Sequence, residues 1–162
     1  MSWSDRRAFL LAPLILAACG FTPALAPEGP AGRLRGAVRA DDPTDRNGFD
    51  FVARIEERLG RPADDAGLAL SYTITTWKTG VAVTADNRTT RYDLSGVLEY
   101  RLREAATDRT MASGRVSGFT GYAATGSTVA LLAAEEDAAR RLMVILADQV
   151  VTRLVAALAA RG

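Results

Sequence analysis

Thr90-Arg91-Tyr92-Asp93-Leu94-Ser95-Gly96-Val97-Leu98-Glu99-Tyr100-Arg101-Leu102 decides the fold. Tyr92, Leu94, Leu98, Tyr100 and Leu102 fall on one parity, and Arg91, Asp93, Ser95, Glu99 and Arg101 on the other. A period of two is the pattern of a strand with one face in a core and one in water. The whole candidate runs over Arg88–Arg103, the longest strand in the chain. On its N-terminal side, Leu68–Thr79 alternates in the same way. Leu68, Leu70, Tyr72 and Ile74 share a face, while Ser71, Thr73 and Thr75 take the other. Trp77 falls on the polar side, as a contact residue or as packing under the next loop. Gly80–Asn87 reads as that loop, with Val81–Val83 able to prolong the strand. On the C-terminal side, Glu104–Arg109 turns the chain and Thr110–Tyr122 returns as a fourth strand. Gly114 and Gly118 weaken this strand, which suits an edge.

The flanks supply the other layer. Gly32–Ala40 alternates, with Leu34 and Val38 opposite Arg33, Arg35 and Arg39, and predicts a first strand with a basic face. After capping residues in Asp41–Asn47, a helix starts near Asp45 or Asn47. Phe51, Val52, Ile55 and Leu59 make its apolar face, and Gly60 and Pro62 end it. Strand, helix, strand predicts a right-handed crossover onto a parallel neighbour. Ser127 or Thr128 caps a last helix from about Val129 to Ala160. Its predicted stripe is Leu131, Ala134, Ala138, Leu142, Ile145, Val150, Leu154 and Leu158. The residues therefore predict a single α+β domain.

Before the domain, Arg6 and Arg7 precede an apolar run, Ala8–Ala18, that is well short of the roughly twenty residues needed to span a bilayer. Asp5-Arg6-Arg7-Ala8-Phe9-Leu10 also has the look of a twin-arginine export signal. Leu16-Ala17-Ala18-Cys19 resembles the lipobox of bacterial lipoproteins. That resemblance implies cleavage before Cys19 and acylation of its thiol and new amino terminus. Cys19 is the only cysteine of the chain, and acylation removes a thiol that would mispair in an oxidising compartment. Residues 1–18 are then a signal peptide, 19–31 a proline-rich lipidated tether, and 32–162 the domain. Gly20 in place of Asp implies, by resemblance to sorted lipoproteins, the outer membrane.

Composition narrows the function. The chain has 20 basic and 19 acidic residues; loss of Arg6, Arg7 and Asp5 leaves no net charge, so nothing draws in nucleic acid. There is no histidine, which removes Ser-His and Cys-His pairs and histidine-metal sites. No phosphate-cradling loop is present: Gly118, Gly121 and Gly126 fit no Walker pattern. These absences predict a protein that is not an enzyme and needs no cofactor.

The order of elements, with Cys19-Gly20-Phe21-Thr22-Pro23 at the mature start, resembles the LptE family of lipopolysaccharide-assembly lipoproteins. Further likeness lies in Thr90-Arg91-Tyr92, Leu98-Glu99-Tyr100-Arg101-Leu102, Gly114, Tyr122, Ser127-Thr128 and Glu136-Asp137-Ala138-Ala139. The family's usual Pro-Leu-Tyr is here Pro23-Ala24-Leu25. The resemblance implies two helices on a four-stranded mixed sheet, the C-terminal helix long. It implies anchoring at the periplasmic face of the outer membrane, an LptD-like β-barrel that the domain plugs, and contact with lipopolysaccharide. Arginine binds phosphate bidentately, and Arg88 and Arg91, beside the loop before the third strand, are the candidate lipopolysaccharide contacts. An accessory lipoprotein of another envelope lipid transporter, or a structural envelope lipoprotein, is the competing class.

Overall fold

The computed structural model describes residues 29–84 and 88–161. The element order is α1 (Pro30–Leu34), β1 (Val38–Ala40), α2 (Arg46–Leu59), β2 (Leu68–Val83), β3 (Thr89–Glu104), β4 (Thr110–Ala123) and α3 (Thr128–Ala159). The four strands form one mixed sheet in sequence order: β1 is parallel to β2, and β2, β3 and β4 are an antiparallel meander. The α+β fold with a long C-terminal helix is as expected, with α1 as an additional short helix.

The predicted first strand over Gly32–Ala40 is corrected. Pro30 lies in the first turn of α1, where its missing N–H costs nothing and its fixed φ favours a helix. Leu34 reaches the core from that helix, and only Val38–Ala40 pairs with Leu68–Leu70. The three arginines therefore do not share a strand face. Arg33 lies in the last turn of α1, Arg35 caps it, and Arg39 on β1 donates from Nη2 to the Ala63 carbonyl at 2.9 Å. Pro30 and Ala31, read as the end of the tether, belong to α1; residues 19–28 of the tether and the signal segment lie outside the described residues.

The α2 helix follows its sequence signals. Asp45 caps it by accepting from the Gly48 N–H at 2.6 Å, and Gly60, at φ 82°, ends it in a backbone region that side chains disfavour. Phe51, Ile55 and Leu59 are buried. The β2 strand does not stop at Thr79. It continues through a bulge at Gly80–Val83, so the expected loop is shorter.

One sheet face carries the whole core. The even-numbered residues of β3 and β4, among them Leu94, Leu98, Tyr100, Leu102, Ala112, Val116 and Tyr122, are buried under α3. Gly96 and Gly118 are cross-strand partners and form the seat of that helix. A Cβ at Gly96 would stand 3.0 Å from Leu142 Cδ2, and one at Gly118 3.1 Å from Ile145 Cγ2. Facing this seat, α3 buries Ala138, Leu142, Met143, Leu146, Ala147, Val150, Val151, Leu154 and Leu158. Ile145 was expected in the stripe but is 38% exposed, because it overhangs the β4 edge at Gly118. By length and composition α3 could cross a membrane, yet here its apolar face is consumed by the sheet. Burying each leucine fully stabilises the fold by about 1.5–3 kcal/mol.

Polar contacts tie α3 to its neighbours. Thr120 Oγ1 donates to the Ala138 carbonyl at 2.8 Å inside the core. Gln149 Nε2 and Arg141 Nη2 donate to the Ser117 and Gly121 carbonyls of β4, at 3.1 and 3.4 Å, and so cap part of an open edge. Between the helices, Arg54 grips both oxygens of Asp148, at 3.0 and 2.9 Å, and Arg58 adds a contact at 2.9 Å. The bond from Arg54 holds the Asp148 carboxyl below its ordinary pKa, and the same bond raises that of Arg54.

Two stability predictions follow from this packing. Gly96→Val should cost about 1–3 kcal/mol by overpacking the seat. Gly67→Ala, where a Cβ meets nothing within 4 Å, should stay within about 0.5 kcal/mol in the same urea titration. For Asp148, a lowered folded pKa means stability present above the unfolded value of about 3.9 and lost as pH falls through the folded one. Asp148→Asn should lower the thermal midpoint at pH 7, and the difference from wild type should shrink and vanish as pH falls through the lowered folded pKa of Asp148. The pair is part-exposed, so the effect should be about 0.5–1 kcal/mol.

Candidate functional site

With α3 on the even face, the odd face of the sheet is bare. Its rows follow from the register. Trp77, Ser95 and Phe119 form one row; Thr75, Val97 and Ser117 the next; then Thr73, Glu99 and Arg115. On the other side of Trp77 come Thr79, Asp93 and Gly121, and then Arg91 beside Ala123. Trp77 is 49% exposed and Phe119 67%. Neither lies under a loop, because β2 continues past Trp77 for six more residues to Val83. Thr73, Thr75, Trp77, Val97, Glu99 and Arg115 enclose a shallow pocket of about 180 Å³. Arg115 Nε is 4.0 Å from Glu99 Oε1, a loose pair open to a ligand.

Both candidate arginines lie at the hairpin end of this sheet. Arg88 is exposed at the mouth of the β2–β3 connection, where its carbonyl accepts from the Thr84 N–H at 2.9 Å and its own N–H donates to Thr84 Oγ1 at 3.2 Å. Arg91 lies on the bare face. Its guanidinium crosses to β4 over Gly121, where a Cβ would stand 3.2 Å from Nη2 and 3.1 Å from Asp93 Oδ1. Neither arginine forms an ion pair among the described residues.

The same end is braced from the core side. Lys78, the only lysine of the chain, is held by both oxygens of Glu135 at 2.9 and 3.0 Å and stands 5.3 Å from the Tyr92 ring centre. That bond raises the Lys78 pKa and lowers that of Glu135. Tyr92 stacks on Tyr122 at 5.6 Å. Burial raises the Tyr122 phenol, whose oxygen finds no partner among the described residues. This cluster fixes the start of α3 over the sheet, so Lys78 is committed internally and is not a spare cation. A larger cleft of about 460 Å³, lined by Ala31, Gly32, Arg35, Arg58, Leu59, Val151, Thr152 and Val155, opens between α1, α2 and α3. It includes neither Arg88 nor Arg91.

Sequence patterning placed Trp77, Glu99 and Arg101 outward correctly. It missed Phe119 and Arg115 as neighbours of Trp77 and Glu99, since only the register of three strands puts them together. The signal was present in the matched alternation of Thr110–Tyr122, without the offset that aligns it.

A sheet covered on one face and bare on the other, with arginines at its tip, defines a small two-layer α+β domain. The family model LptE, lipopolysaccharide-assembly, matches residues 36–154. The chain belongs to this lipopolysaccharide-assembly family. No curated protein sequence matches it. Among solved structures it is similar to a Caulobacter crescentus CB15 protein assigned as a lipoprotein, at 19% identity and a TM-score of 0.67, covering 81% of this chain and 98% of that one. It is also similar to the minor lipoprotein of Acinetobacter baumannii, at 13% identity and TM-score 0.54, covering 74% and 88%. The rare lipoprotein B of Shewanella oneidensis matches at 12% identity and TM-score 0.51, covering 77% and 93%. At these identities the likeness is one of fold.

The Arg91 placement is testable without touching the arginine. Gly121→Val should displace its guanidinium, shifting the Arg91 Nε–H resonance in a nitrogen–proton correlation spectrum while the far-ultraviolet circular dichroism stays that of wild type.

Proposed function

We propose that this protein is a non-catalytic outer-membrane lipoprotein that plugs and supports an LptD-like β-barrel and contacts lipopolysaccharide during its transport to the cell surface. The observation that carries the reading is the family match over residues 36–154. In this reading residues 1–18 are removed as a signal peptide, Cys19 is acylated, and the chain up to Gly29 tethers the domain at the periplasmic face. Several acyl chains on one residue give durable anchoring where a single one is marginal. Large barrels have polar lumens that accept plugs, and the bare sheet face, rich in threonine, serine and paired charges, suits such an enclosure.

Arg88 and Arg91 are the proposed lipopolysaccharide contacts. Their exposure and lack of an ion-pair partner among the described residues support that role. Solvent-exposed contacts of this kind contribute about a kcal/mol each and weaken with salt.

Mass spectrometry of the native protein should find an acylated Cys19 as first residue, and crosslinking in native membranes should recover a large outer-membrane barrel. The double variant Arg88→Gln, Arg91→Gln should bind lipopolysaccharide several times more weakly at low salt, with the deficit shrinking as salt rises, and should still recover the barrel. An unmodified mature chain would overturn the anchor. Failure to recover any barrel would overturn the plug, and unchanged binding at low salt would remove the arginines from the contact.

A further inference from the structure

We infer that the shallow pocket beside Trp77 on the bare sheet face is an oligosaccharide subsite, which takes the sugar portion of the same glycolipid whose phosphates meet Arg91. The inference rests on the proposed contact with lipopolysaccharide and extends it along the sheet.

The lining has the chemistry a pyranose needs. A sugar ring has one face of C–H bonds and a rim of hydroxyls. Trp77 offers a large, rigid, half-exposed aromatic face for the C–H side. Around it stand an acceptor carboxylate, Glu99, a forked donor, Arg115, and two hydroxyls that both donate and accept, Thr73 and Thr75. A vicinal diol can be bridged by a carboxylate and a guanidinium that are close but not locked together, and the Glu99–Arg115 separation of 4.0 Å meets that condition. The pocket volume, about 180 Å³, is that of one ring, not of an acyl bundle.

The surroundings favour a sugar over a lipid tail or a protein anchor. The floor holds one loose pair of opposite charges, Glu99 and Arg115, and the side chains flanking Trp77 on this face of β2 are threonines. An acyl chain would take water from the carboxylate and guanidinium and offer neither a hydrogen bond in return. The groove does not end at one ring. A wider depression shares Thr73, Glu99 and Arg115 with it and continues over Ser71, Arg101 and Ser113. In the other direction, a single row, Thr79, Asp93 and Gly121, lies between Trp77 and Arg91 on the same face. At about 4.8 Å between strands and about 3.4 Å per residue, this bare face accommodates several sugar units, with a phosphate at the Arg91 end.

Trp77 is itself the reporter. The chain has two tryptophans, and the other, Trp3, lies in the segment removed on maturation. The mature lipoprotein in detergent is titrated with three probes: deacylated lipopolysaccharide, the same material after dephosphorylation, and lipid A without core sugars. Deacylated lipopolysaccharide should change the tryptophan emission saturably. By calorimetry, Trp77→Ala should weaken its binding tenfold or more, Trp77→Phe should stay within about threefold because a ring face remains, and Glu99→Gln should lose severalfold. Arg91→Gln should weaken the phosphorylated probe but not the dephosphorylated one.

Several results overturn the subsite. They are no emission change, Trp77→Ala binding as tightly as wild type with an unaltered melting curve, or lipid A alone matching intact lipopolysaccharide. Loss of barrel recovery in Trp77→Ala with sugar binding unchanged would assign this face to the barrel instead. If intact lipopolysaccharide still binds in any of these cases, only the subsite falls. If wild type binds neither intact nor deacylated lipopolysaccharide, the lipopolysaccharide-contact reading falls with it.

Discussion

Leu142 resting on the paired glycines Gly96 and Gly118 is the contact on which the rest depends. With side chains at those two positions, α3 would ride higher, and Leu146 and Val150 could not reach full burial. The interior is close-packed, so a gap of that size cannot simply be absorbed. Because α3 and α2 lie on the same side of the sheet, the chain uses all its helical surface on one face. No element is left among the described residues to cover the other. The bare face is thus a consequence of how few layers the chain has.

That economy connects fold to function. A three-helix, four-stranded domain with a single core leaves a long hairpin, β2 with β3, projecting beyond the parallel pairing of β1. Lys78, Glu135, Tyr92 and Tyr122 stiffen the core side of that hairpin where it runs past β1. Arg91 is therefore carried on backbone paired on both sides and Trp77 on a strand paired to β3, which holds a contact surface better than a loop does. Membership in the lipopolysaccharide-assembly family is what supports the proposal that such a surface meets a phosphorylated glycolipid, whose anions and hydroxyls match the chemistry of arginine, carboxylate and tryptophan.

Much of this was legible in the residues, and the failures have physical causes. Strand alternation in β2 and β3 was clear because each strand has one wet face; the β1–α2–β2 crossover followed from capping signals and chain order. Gly32–Ala40 misled because five apolar and basic residues fit a period of two as well as a single helical turn, and Pro30 settled the matter in favour of the helix. In α3 the apolar residues run nearly all round, so a stripe read from spacing gained Ile145 and lost Met143, Leu146, Ala147 and Val151. The candidate site was half visible. Exposed arginines and an outward Trp77 can each be read from a single strand, whereas the pocket that Trp77 shares with Glu99 and Arg115 exists only in the register of three.

The central claim is that one sheet face builds the fold and the other meets the glycolipid. Photocrosslinking amino acids placed in living cells test it directly, at Thr75, Val97 and Ser117 on the bare face and at Glu136 and Arg140 on the exposed side of α3. The account predicts lipopolysaccharide adducts from the bare-face positions and none from the helix. Adducts confined to the helix, with a silent bare face, would contradict it.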